Sequence, residues 1–362
     1  MQPASSPHAR FWRWFQANGH RLRAMMYGRD HDAREEASEE LRKAVAHLKP
    51  GLVLEFGPTP TEELRDLIVS ADGRRERVDF IKDFVASAPE LPGWNVVAFR
   101  PRMPINEDIA IRLEDQEVGP DDLWFRIAED DDGLALTLHV RGLTPENERL
   151  RGLGAALLAE HSVGERDAMT LLSDLQVEPL PDVPEAAGLR PFRELVSLFD
   201  EVKERKYPPP GSLVLDPEGE WQAMEGTMGG SPALVLLNTG LRRVAGHPAY
   251  DHRLAVHVPF NRARPDGMPE TEDEYTAVQE IGTRLGEGLE EGQQSLLAAT
   301  IMTKGRRDLI LHTHDVDGAL RRLESLKAGV QTHRVEASAE RDTFWGLYRS
   351  LLHGGQKEEA EE

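Results

Sequence analysis

From residue 253 to 260 the apolar positions Leu254, Val256, Val258 and Phe260 alternate with polar or small ones, the two-residue period of a strand with one buried face. Arg264-Pro265-Asp266-Gly267 is turn chemistry and stops it. Thr271 and Glu274 then stand at capping-box spacing, and Tyr275, Val278, Leu285 and Leu289 fall on one face of a helix. Residues 296–303 and 307–313 read as two strands joined at Lys304-Gly305-Arg306, with glycine in the turn. Asp315 is placed to cap a helix with the apolar face Val316, Leu320 and Leu323, and Gly329 stands just past its end. Residues 330–335 are expected to return as a strand, before a last helix carrying Phe344, Tyr348, Leu351 and Leu352. This order, β-α-β-β-α-β plus a terminal helix, is the connectivity of a ferredoxin-like split βαβ unit, an antiparallel sheet with helices on one face. Residues 233–237, and with them 212–215, are candidates to extend its edge.

The N-terminal half has a noisier pattern. Helices are expected over 11–27 and 33–48, then a strand over 52–56. A strand over 66–70 runs into an Ala71-Asp72-Gly73 turn and a helix bearing Val78, Ile81 and Val85, and 94–99 is again a strand. Residues 123–127 and 134–140 should pair across the turn 130–133, followed by a helix over 146–161 and a strand near 175–178. The order allows a second, embellished β-α-β-β-α-β unit, although no residue-level repeat supports duplication. The expected class is therefore α+β in two domains: an embellished α+β sandwich and a ferredoxin-like domain.

Prolines place the boundary. Pro179, Pro181 and Pro184 cluster at one end of a span and Pro208-Pro209-Pro210 at the other, with Phe192, Leu195, Val196 and Phe199 at helical spacing between. The expected domains are 8–183 and 211–354, with 184–210 as a proline-rich, helical linker and 355–362 as a frayed acidic tail. The length of 362 residues suits two or three domains.

Charge and cysteine usage narrow the function classes. With 64 acidic against 43 basic residues the net charge is −21, which repels phosphate backbones and argues against nucleic-acid binding. The absence of cysteine removes thiolate nucleophiles, iron–sulfur clusters, thiolate zinc sites and disulfides together. No window is long and apolar enough to span a membrane, and the polar start of the chain is unlike a signal peptide, so the cytoplasm is the expected compartment. Phe11-Trp12-Arg13-Trp14-Phe15 has the aromatics and arginines of an interfacial anchor, but the acidic run Glu35 to Glu40 favours an amphipathic helix packed on its own domain.

His312, His314 and Asp315 form the most site-like cluster. On a strand the two histidines share a face, so their imidazoles are the metal-ligand candidates, whereas Asp315 is better explained as a helix cap. His252 and His257 stand at odd spacing and face opposite ways, so at most one could join them. Gly226, Gly229 and Gly230 fit neither a phosphate loop nor a dinucleotide fingerprint, and read as a flexible loop. Asp130-Asp131-Asp132 lacks a calcium-loop pattern. Ser162 and Ser231 lie in no nucleophile-elbow context. Trp94, Trp124, Trp221 and Trp345 read as core or interface fillers. Gly282, Gly286 and Gly288 inside one helix imply close backbone approach, by the domain's own sheet or by another chain.

Several stretches of the C-terminal half resemble the domain-of-unknown-function 695 family of bacterial proteins. They are Arg264-Pro265-Asp266-Gly267-Met268-Pro269, Met302-Thr303-Lys304-Gly305-Arg306-Arg307-Asp308, Leu309-Ile310-Leu311-His312-Thr313-His314-Asp315 and Asp342-Thr343-Phe344-Trp345-Gly346-Leu347-Tyr348, together spanning about 230–352. Leu91-Pro92-Gly93-Trp94 and Val163-Gly164-Glu165 resemble the region that precedes this domain. His312 stands where the family usually has an aromatic, often tyrosine. The resemblance implies a fold and no assigned activity. Family members joined to a domain similar to a small acidic ribonuclease inhibitor hint at regulation by protein binding.

The function expected first is a non-enzymatic regulatory or protein-interaction module with no cofactor and no assigned catalytic residue. The alternatives are a metal-assisted hydrolase using His312 and His314, and a protein that binds a small ligand in a cleft between domains.

Overall fold

Ser6 accepts a hydrogen bond from the backbone N–H of Ala9, Pro7 opens the first turn, and a helix follows over Pro7–Met26 (α1). This computed structural model describes residues 6–57, 64–106, 109–129, 133–215 and 220–354. They divide between two compact units, Met1–Asp200 and Glu201–Glu362. In the first unit Phe11, Trp12, Phe15 and Leu22 of α1 are buried, and Trp12 stacks on Phe84 with ring centroids 4.5 Å apart. The aromatic run of the N-terminus is thus core. Gly19 permits a close approach, with its carbonyl accepting from the Trp94 indole at 3.2 Å.

Helix α2 (His31–Val45) precedes β1 (Val53–Gly57) and β2 (Arg65–Ser70), which pair antiparallel. Helix α3 (Val78–Ala86) then carries the chain to β3 (Trp94–Ala98), parallel to β2. A small hairpin, β4 (Ile111–Leu113) and β5 (Gln116–Val118), stands apart. Strands β6 (Leu123–Glu129) and β7 (Leu134–Val140) pair as expected, although their turn, 130–132, lies outside the described residues. Helices α4 (Glu148–Val163) and α5 (Glu165–Leu171) cross over to β8 (Leu172–Pro179), which runs parallel to β7. Strand β9 (Arg190–Pro191) adds to β6, and α6 (Leu195–Lys206) follows. The element order is close to the expectation, but the strands divide among sheets of three, two and four rather than forming one split βαβ layer. Phe99, at φ 69, and Pro101 end β3, and proline has no N–H with which to continue a ladder.

The second unit is built on one antiparallel sheet of six strands: β10 (Trp221–Met228), β11 (Ser231–Asn238), β12 (His252–Pro259), β13 (Ser295–Thr303), β14 (Arg306–Thr313) and β15 (Glu336–Arg341). Their order is β10-β11-β13-β14-β12-β15. Helices α7 (Glu272–Glu290) and α8 (Val316–Lys327) pack on one face through Val278, Leu285, Leu289 and Leu323 against Leu254, Val256, Leu309 and Leu311. The terminal helix α9 (Gly346–Leu352) corrects the expectation of helices on one side only: Trp345 and Tyr348 join Val235, Leu237, Ile301 and Ile310 in a core on the other face.

Three further expectations fail in informative ways. Residues 224–230 are not a flexible loop, because β10 runs to Met228 and turns at Gly229 and Gly230 with φ of 57° and 81°, as a tight hairpin requires. Its edge position leaves most of β10 exposed, which erases the apolar alternation that would mark it. No strand forms over 212–215; Leu213 instead exchanges both backbone bonds with the Gln293 side-chain amide, at 2.9 and 2.7 Å. The last strand begins six residues late. His333 and Glu274 form a buried pair at 3.0 Å, so 330–335 packs as a connector and the ladder with β12 starts at Glu336. The tail 355–362 lies outside the described residues.

Asp315 caps α8 by accepting from Gly318 N–H at 2.9 Å, and Thr271 caps α7. Only half the capping box forms, because the Glu274 carboxylate turns to His333 and to the N–H of Asn261. The glycines of α7 meet the unit's own side chains: Gly282 faces Arg307, Gly286 faces Leu297, and Gly288 faces Leu326. A Cβ at Gly282 would lie 2.5 Å from the Arg307 Nε. Gly282→Ala is therefore expected to destabilise the unit despite the ~1 kcal/mol that alanine gains in a helix. Thermal melts should show that loss, and a clear gain for the same change made in an Arg307→Ala background.

Candidate functional site

Strand alternation sends Arg253, Ala255 and His257 of β12 to the face opposite α7 and α8. The same face takes Arg306, Asp308 and Ile310 from β14, Ser338 and Glu340 from β15, and Ile301 and Thr303 from β13. Helix α9 and the buried Tyr250 fill the half near His312. The other half holds a basin of about 330 Å³ with an apolar floor at Ala255, Ile301 and Ile310. Register explains its depth. Ser338 lies opposite Ala255, the smallest side chain of the row, with Arg253 and His257 one same-face position to either side.

The polar groups are ordered. His257 Nδ1 lies 2.8 Å from an Asp308 oxygen, and its Nε2 lies 3.3 Å from Ser338 Oγ. A carboxylate only accepts, so Nδ1 carries the proton, and Nε2 is left to accept from the serine hydroxyl. Arg306 donates to the same carboxylate at 2.9 and 3.1 Å. Arg253 is ion-paired with its cross-strand neighbour Glu340, and Asp342 lies 3.8 Å away. Lys304 stands on the rim, at the tip of the β13–β14 hairpin, with no carboxylate in ion-pair reach among the described residues.

The histidines singled out from sequence have other work. His312 and His314 do share a face, but His312 is wholly buried and stacks flat on Trp345, centroids 3.9 Å apart at 7°. His314 is exposed, edge-on to Tyr250. Burial, reinforced by Arg253, holds the His312 pKa well below its ordinary value, while the Tyr250 backbone offsets this in part; neither ring nitrogen makes a well-formed hydrogen bond. Its neutral form suits the dry stack. As pH falls below about 6.5 the unfolded chain gains a proton that the native ring refuses, so this residue withdraws stability towards acid. His312 thus fills the part of a flat aromatic ring. His257 belongs to the same face but sits four residues away along the ladder, about 13 Å. His252 turns to Asp251 at 2.7 Å. Among the described residues no three His, Asp or Glu side chains converge as a metal site.

Ser162 is buried in α4 and bonded to the Leu158 carbonyl, and Ser231 closes the β10–β11 turn. Trp94 and Trp345 are core residues, whereas Trp221 lies exposed on the edge strand. No described helix is long and apolar enough to cross a membrane. In the first unit Arg100 gathers Glu55, Asp72 and Glu160, but these charges satisfy one another and hold the Arg100 pKa above its ordinary value despite the opposing cost of burial. Ser338 and Asp308 were missed as site residues because 257, 308 and 338 meet only when β12, β14 and β15 pair. Placing the last strand at 330–335 also hid the serine.

Residues 219–353 match the model of a family of unknown function (DUF695). No curated protein matches the chain, and no solved structure does.

Proposed function

We propose that the C-terminal unit is a recognition module whose basin takes a carboxylate from an acidic segment of a protein partner. The observation that carries this reading is Lys304, an exposed ammonium with no carboxylate in ion-pair reach among the described residues, on a chain of net charge −21. Beside it the Arg306 guanidinium is half exposed and spends only part of its donor fork on Asp308. An anion entering at this rim gains a charge-assisted bond from Lys304 and apolar contact with the floor. A nucleic acid or an anionic membrane would face the whole surface of net charge −21, whereas a single carboxylate meets only the local positive rim at Lys304 and Arg306; a cysteine-free chain suits the cytoplasm. We read the inner order β13-β14-β12-β15, with α7 and α8 on one side, as a ferredoxin-like unit extended by the β10–β11 hairpin.

Titration of the full chain with glutarate, and with an acetylated glutamate-rich peptide, tests the proposal by NMR. Shifts should concentrate at Arg253, His257, Lys304 and Arg306, weaken with salt, and require roughly 3- to 10-fold more ligand in Lys304→Gln. Shifts elsewhere, or unchanged affinity in that variant, would overturn it.

A further inference from the structure

We propose that the basin also carries out acyl transfer, with Ser338 as the nucleophile towards a carboxylic ester that bears an anionic group. The anionic preference rests on the binding reading above; the covalent step rests on independent geometry. Asp308, His257 and Ser338 form a continuous relay, Asp308 Oδ1 to Nδ1 at 2.8 Å and Nε2 to Oγ at 3.3 Å. This is the acceptor–base–hydroxyl order that activates a serine, and such bonds are commonly loose before substrate binds. The proton positions agree: an acceptor-only carboxylate keeps the proton on Nδ1, and the free lone pair on Nε2 faces the hydroxyl. Ser338 is exposed to the basin, while Asp308 beneath it is nearly buried and held by Arg306. Ala255, opposite Ser338, leaves room for an acyl group, and Arg253, one same-face position from Ala255 and paired with Glu340, also lines the basin.

In the first half-reaction Ser338 Oγ bonds to the ester carbonyl carbon as its proton passes to His257 Nε2, and the carbonyl π pair moves onto oxygen. Collapse restores the carbonyl and breaks the bond to the alcohol, which leaves with the proton from Nε2. Water then attacks the acyl-serine and gives His257 a proton; collapse releases the acid and returns that proton to Oγ. The sum is ester plus water to acid plus alcohol. Ser338 and His257 are the catalytic residues. Asp308 and Arg306 position them.

The test uses the full chain with a fluorophosphonate probe and with 4-nitrophenyl acetate and the 4-nitrophenyl monoester of glutarate. Expected results are a phosphonyl adduct mapped to Ser338, a burst of nitrophenolate, and faster reaction of the anionic ester. Ser338→Ala should abolish adduct and burst, and His257→Gln should slow acylation by roughly 10²-fold or more. Ser338→Cys should restore a burst with a changed pH profile, which a structural role would not produce. Glutarate binding measured in Ser338→Ala separates the two readings: binding kept without turnover is the expected pattern. A correctly folded native chain that gives no adduct at Ser338, or hydrolysis unchanged in Ser338→Ala, would overturn the catalytic inference and leave the recognition reading standing on its own titration.

Discussion

Arg307→Met is expected to stabilise the C-terminal unit by about 1–4 kcal/mol, the range seen when buried charge gives way to apolar side chains of similar volume. Arg307 is 4% exposed, with its guanidinium beneath Gly282 of α7. Its one described hydrogen bond goes to Thr300 Oγ1 at 3.3 Å, Nε has no acceptor, and no described carboxylate pairs with it. Desolvation lowers its pKa from the ordinary arginine value to about 10, partly offset by Tyr275. A downward shift of that size in a cation corresponds to a penalty on the order of 3 kcal/mol. The sign is definite. Below pH 10 both folded and unfolded chains carry the charge, so the whole penalty is present. Above about pH 10 the native state sheds its proton first and the penalty fades. Amide exchange of β13 and β14 should therefore slow in Arg307→Met, with the gap to the native chain narrowing from pH 9 to pH 11. A destabilised variant, or a gap that widens with pH, would show that the charge has a compensating partner.

Trp345→Ala has the largest expected loss, about 3–5 kcal/mol for a fully buried indole. Its ring stacks on His312, its Nε1–H donates to the Tyr250 carbonyl at 2.9 Å, and Tyr348 packs edge-on at 5.7 Å. Removing it opens a cavity against a histidine without well-formed hydrogen bonds and strips Tyr250 of its donor. The backbone refines the prediction. Trp345 sits at φ 56, the left-handed region, which costs a non-glycine residue about 1–2 kcal/mol. Trp345→Gly should consequently lose less than Trp345→Ala by roughly 1 kcal/mol, although it removes more atoms. Urea unfolding of the full chain, followed by amide exchange in β14 and α9, measures both. Equal losses would mean that α9 shifts to another conformation in the variants.

Local chemistry was legible along the sequence. The two-residue alternation of Leu254, Val256 and Val258, the glycine of the Lys304-Gly305 turn, the Asp315 cap and the apolar face of α7 depend only on neighbours within a few positions. So did the shared face of His312 and His314, and the close approach implied by the α7 glycines. What a given face meets was not legible. The strand at Glu336–Arg341 has exposed, nearly featureless positions, because its ladder to β12 rather than its own burial holds it in the sheet. Strand β10 was missed for the same reason.

The sequence by itself determined an acidic, cysteine-free α+β chain and most of its elements, since helix and strand periods and turn chemistry are properties of consecutive residues. Only the tertiary structure decided that His312 is a stacking ring, that Arg307 is a cation buried under a glycine, and that Ser338, His257 and Asp308 touch. Those outcomes depend on strand register, and a shift of one residue turns every side chain to the opposite face. Register is set by backbone pairing between residues 47 to 89 positions apart, which no local pattern encodes.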